Sequence, residues 1–135
     1  MSPPAKGAIG TAQALNLALR LVLEICALAA FGFWGWSQTD APWRYLLMLG
    51  LPALAAGVWG TFAVLNDPSR SGRAPVPVSG ATRLGVELAF FGLACWALYD
   101  ANAKVSGLTL AAAVVVHYAL SSERIRWLLA QRSPR

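Results

Sequence analysis

Two glutamates stand where carboxylates are costly. Glu24 and Glu87 each lie inside a long apolar run, and each follows an arginine by four residues, Arg20 and Arg83 respectively. On insertion scales a charge within a bilayer-spanning helix costs about 2.5–3.5 kcal/mol, so each such group needs a partner or a role. Arginine can snorkel to the head groups, whereas the shorter glutamate cannot. A carboxyl group taken out of water favours its neutral form. It can then exchange a proton for a small cationic or amphiphilic solute, the chemistry of a binding or transport site. It can also act as general acid on a lipid-soluble substrate, with Trp59 or Trp34 beside a developing cation. His117 falls about one turn before its own apolar run ends, and Trp59 about two turns before its run ends. If neighbouring runs are antiparallel helices, Glu24, Glu87, His117 and Trp59 share one layer.

The same residues admit a plainer account. Two Arg–Glu pairs and a histidine can close into a polar network that fixes helix register, as in a structural or accessory subunit. No nucleophile–base dyad or phosphate-cradling loop accompanies them, which ranks a membrane-embedded enzyme below a binding protein. One histidine and two separated cysteines, Cys26 and Cys95, assemble no zinc pattern, so no metal and no cofactor are expected.

Composition says what must position these groups. The 135 residues are 57% apolar and 13% charged, against about 45–50% and about 25% in soluble domains. Lipid is the natural solvent of such a chain, which excludes a free cytosolic enzyme, a nucleic-acid-binding domain and a disulfide-stapled module. Crossing the hydrocarbon takes about 20 mostly apolar residues. Four runs qualify, Leu15–Trp36, Tyr45–Leu65, Arg83–Tyr99 and Val105–Leu120, the last two by recruiting flanking residues. The expected fold is therefore all-α, a four-transmembrane-helix bundle. A tail at 1–14 precedes a hairpin at 15–65, a Pro/Gly/Arg linker at 66–82 reads as loop, a second hairpin covers 83–121, and a basic amphipathic tail occupies 122–135.

Of the 11 Lys and Arg, only Arg44 and Lys104 flank the two short turns. Lys6, Arg20, Arg70, Arg73, Arg83, Arg124, Arg126, Arg132 and Arg135 lie toward the amino end, the linker or the carboxyl end. The positive-inside rule then places both termini and the linker in the cytoplasm. Trp34, Trp36, Trp43, Tyr45, Tyr99 and Trp127 read as interfacial anchors. Arg20-Leu21-x-x-Glu24-Ile25 recurs as Arg83-Leu84-x-x-Glu87-Leu88 at an offset of 63 residues, the mark of a parallel internal repeat of two similar hairpins. Gly50, Ala53, Gly57 and Gly60 share one helical face, a packing seam within the chain or between copies in a homo-oligomer.

The ordered series Leu19-Arg20-Leu21-x-x-Glu24-x-x-Ala27, Trp34-Gly35-Trp36, Gly50-Leu51-Pro52-x-Leu54-Ala55-Ala56, Val58-Trp59-Gly60-x-Phe62, Pro75-Val76-Pro77 and Arg83-Leu84-x-x-Glu87-Leu88 resembles the YrdB family of small bacterial membrane proteins. The likeness runs from about Leu15 to Leu120. That family's proline after the Trp-Gly-x-Phe stretch comes later here, at Pro68 behind Asn66-Asp67. The resemblance implies four helices and an inner-membrane location, and it implies no activity.

Overall fold

A computed structural model describes residues 10–67 and 74–132. Lys6, Arg70, Arg73 and Arg135 lie outside the described residues, as do Pro68 and the middle of the linker. Among the described residues five helices form: α1 (Thr11–Ser37), α2 (Arg44–Thr61), α3 (Gly80–Asp100), α4 (Lys104–Leu120) and α5 (Ser122–Ala130). Each of the first four covers one of the apolar runs. α3 reaches its length by adding Gly80, Ala81 and Thr82 at its start, with Ser79 as N-cap, its hydroxyl oxygen accepting the Thr82 amide at 3.2 Å. Its far end closes by a Schellman turn: Asn102 is left-handed at φ 65°, Asn102 N–H donates to Tyr99 O and Ala103 N–H to Leu98 O.

The linker is not all loop. The chain leaves α2 at Thr61 rather than Leu65 and forms a two-residue strand β1 (Phe62–Ala63), which pairs in parallel with β2 (Val76–Pro77), Phe62 opposite Val76 and Ala63 opposite Pro77. Pro77 has no N–H to give and sits where a two-stranded edge tolerates it. Val78 N–H supplies the next bond, to Ala63 O at 2.9 Å. Composition of the linker hid this pairing, because β2 lies among the prolines themselves and its partner lies at the end of the apolar run.

α1 packs with α2 and α3 with α4, and α1 and α3 form the centre of the bundle, with α4 also against α1. Leu23, Ala27 and Ala30 of α1 meet Phe90, Phe91 and Ala94 of α3 and Leu110 of α4 in the core. α5 turns away from α4 by 70° and lies over the start of α3. Leu128 is fully buried there, and Gly80 N–H donates to Gln131 O at 3.0 Å. Two helices, α1 and α3, are long and apolar enough to cross a membrane, and a third path results if α4 and α5 count as one bent span.

The close helix approaches use other small residues than the α2 stripe. A Cβ on Gly35 would stand 2.6 Å from Leu47 O, one on Gly32 3.0 Å from Met48 O, and one on Gly107 2.9 Å from Cys95 O. Nothing lies within 4 Å of a Cβ built on Gly50, Gly57 or Gly60, and Ala53 is exposed. Within the chain, then, the stripe faces outward, and glycines of α1 and α4 make the seams. Spacing alone identifies a face but not the direction in which it points.

Candidate functional site

The Arg-x-x-x-Glu pairs form as the spacing requires. Arg20 Nε donates to Glu24 Oε1 at 3.1 Å, and Arg83 Nε to Glu87 Oε1 at 3.2 Å. The two acids nevertheless differ. Glu24 keeps 24% of its side chain exposed, whereas Glu87 is completely buried. Glu87 is the hub. Its Oε1 also accepts from Arg20 Nη2 at 3.0 Å and Arg124 Nη2 at 2.6 Å, while Oε2 accepts from Arg124 Nη1 at 2.8 Å and the Tyr118 hydroxyl at 2.8 Å. Helices α1, α3, α4 and α5 thus each contribute a donor to one carboxylate.

A third acid joins the network. Asp67, in the turn after β1, is buried and accepts from Arg124 Nη2 at 3.1 Å. Among the described residues, Arg20, Arg83 and Arg124 are therefore paired with Glu24, Glu87 and Asp67. Burial alone would lower the Arg124 pKa, but the hydrogen bond and charge of Glu87, with Asp67, more than reverse this and hold it above its ordinary value. Every buried side-chain nitrogen and oxygen among the described residues has a partner. Such completeness matters, because a half-satisfied buried network costs more than an apolar core.

Trp59 joins this layer through its ring and its backbone. The Arg83 guanidinium lies 4.3 Å from its ring centroid and that of Arg20 5.5 Å, close enough for cation–π attraction. Arg83 Nη1 donates to Trp59 O and to Phe62 O, carbonyls that the end of α2 leaves without helical partners. His117 is buried but is not bonded to either glutamate. The Ser121 hydroxyl donates to His117 O at 2.7 Å, so its oxygen accepts from Asn16 Nδ2 at 2.9 Å. Asn16 Oδ1 is then left to accept from His117 Nδ1 at 3.0 Å, which fixes the ring's proton on Nδ1.

Arg20, Glu24, Arg83, Glu87 and Trp59 come together through these contacts, and His117 borders them through the ring of Tyr118. Sequence reasoning missed Arg124, Asp67 and Tyr118. A signal for the first existed: His117, Ser121 and Arg124 recur at i, i+4 and i+7, one helical face carried past the end of α4. Three arginines set against two glutamates likewise called for a third acid.

Two cavities flank the network. An apolar cleft of about 410 Å³ opens between α2 and α3, lined by Leu54, Val58, Ala89 and Leu93 and floored by Phe31 and Trp34 of α1. Trp59 lines it, but neither glutamate does, so it offers no acid to a substrate. A second cavity of about 690 Å³ lies between the first turns of α1 and α5, lined by Gln13, Asn16, Ser121, Arg124 and Trp127.

The family described as "Protein of unknown function (DUF2568)" matches residues 18–115. The "Uncharacterized protein YrdB" of Bacillus subtilis (strain 168) is 43% identical over 116 residues, covering 86% of this chain and 94% of that protein. The chain belongs to the YrdB family. The matched residues include both Arg–Glu pairs, Trp59 and Asp67, whereas His117, Tyr118 and Arg124 follow the family match. No solved structure matches the chain. Its relatives assign no activity to the network, so geometry has to supply the reading.

Proposed function

We propose that this YrdB-family chain is a four-span protein of the cytoplasmic (inner) membrane, an accessory component whose two hairpins are clamped by the Glu87 network. The observation that carries this is the state of Glu87. Five hydrogen bonds from four helices converge on a carboxylate without solvent exposure, and each buried polar partner is satisfied. A transported cation would have to displace an arginine to reach it, which argues for a fixed clamp over a carrier site. Lipid as the surrounding medium is supported by the outer faces: Leu46, Val105, Val115 and Leu120 are each at least two-thirds exposed. Apolar surface on that scale exceeds what soluble monomers leave bare. The outward stripe of α2 supports close approach of a second copy.

Both termini are cytoplasmic in this reading. With Cys26 and Cys95 replaced, single cysteines at Gly10 and Arg132 should resist an impermeant maleimide applied to intact cells. Cysteines at Thr39 and Ala101 should react. Labelling of one end alone from outside would refute the four-span topology.

The apolar cleft favours a second reading, in which the chain also binds an amphiphilic ligand whose apolar part lies between α2 and α3. Those helices scarcely touch, and Phe31, Trp34, Trp96 and Phe90 give the cleft an aromatic wall.

A further inference from the structure

α5 is held at two places of different chemistry. Leu128 is completely buried against the start of α3, where Gly80 has no room for a Cβ because the Leu128 backbone carbonyl occupies its place. One turn earlier Arg124 reaches both oxygens of Glu87 and one of Asp67. A single guanidinium thus ties α5 to α3 and to the turn after β1. Its planar fork suits such a bidentate grip, which lysine cannot reproduce.

Glu87 does not depend on that grip alone. Arg20, Arg83 and Tyr118 remain bonded to it when Arg124 is withdrawn, and Arg83 still holds the end of α2 through Trp59 O and Phe62 O. The junction that would move is already bent, by 70° at Ser121. Behind α5 lies the cavity whose walls include Asn16, bonded to the His117 ring, and Ser121, bonded to the His117 carbonyl. His117 itself is 2% exposed.

We propose that α5 is a strap fastened by Arg124, and that its release opens this cavity to His117 while both hairpins stay folded. The strap rests on the clamp reading above and adds a moving part to it. Its outer face carries Arg126 and Leu129, both exposed, and Arg132 follows just past its end, so the released segment presents basic and apolar groups together.

His117 is the chain's one histidine, which makes it a specific reporter. Its Nε2, the nitrogen without the proton, is the group that diethyl pyrocarbonate acylates. In the full chain in lipid nanodiscs, Arg124→Gln should raise the rate of His117 modification about 10-fold or more, the scale of losing a charged hydrogen bond. Arg124→Lys and Asp67→Asn should give smaller rises, and Glu24→Gln none. Amide exchange should quicken across α5 and stay slow at the centres of α1 and α3. An unchanged modification rate in Arg124→Gln overturns the strap. So does exchange that quickens equally in every helix, or failure of that variant to fold, since the hairpins are required to stand without it. Loss of the clamp reading would register differently, as a Glu87→Gln variant with wild-type stability.

Discussion

Replacing Glu87 by glutamine changes few atoms and should cost more than any other conservative change in the chain. The carboxylate accepts three hydrogen bonds at Oε1, at 2.6, 3.0 and 3.2 Å, and two at Oε2, both at 2.8 Å. Glutamine offers one acceptor oxygen and an amide whose two hydrogens would point at guanidinium groups or at Tyr118. Among the described residues Arg20, Arg83 and Arg124 would then lose the carboxylate that all three share, a charge buried away from water. Removing one partner of a buried ion pair costs about 3–5 kcal/mol. Glu24→Gln is the matched control. Its side chain is a quarter exposed and its ion pair is with Arg20, one turn away on the same helix. At this part-exposed carboxylate solvent meets part of the lost charge, so the loss should stay well below that of Glu87→Gln. Reversible unfolding in mixed micelles with increasing dodecyl sulfate, followed by circular dichroism, measures both. Equal losses for the two variants, or a Glu87→Gln loss below about 1 kcal/mol, would refute the hub.

In the same assay Gly35→Ala should destabilise by about 1–3 kcal/mol, because its Cβ would stand 2.6 Å from the Leu47 carbonyl. Gly57→Ala, with open space around it, should instead stabilise the monomer by up to about 1 kcal/mol through helix propensity. If the cleft holds an amphiphile, a spin-labelled fatty acid should bind saturably and Ala89→Trp should abolish that binding. Binding that persists in the filled variant, or that never saturates, would place the probe in bulk lipid.

Hydrophobic run length was enough to locate four helices, because a long apolar run satisfies its backbone most readily within its own segment. The i,i+4 pairing of Arg20 with Glu24 and of Arg83 with Glu87 was equally legible, being local. What the repeat concealed was inequality: the two acids share a motif, yet only Glu87 faces the centre where α1, α3, α4 and α5 converge. Arg124 read as one more cytoplasmic cation, and its real partners lie 37 and 57 residues away. Charge counts cannot distinguish a cation that sets topology from one that neutralises a buried acid. The α2 stripe shows a similar limit, since small residues permit close approach without naming the neighbour.

Glu87 draws its cations from α1, from its own helix and from α5, and this sets an order of assembly. As α3 leaves the ribosome, its acid already has Arg83 one turn back and Arg20 waiting on α1. Arg124 is synthesised last of the three. The knot at the base of the bundle is therefore tied only once α5 has followed α4 off the ribosome, and a nascent chain halted before residue 124 carries an acid whose α5 counterion has yet to be made.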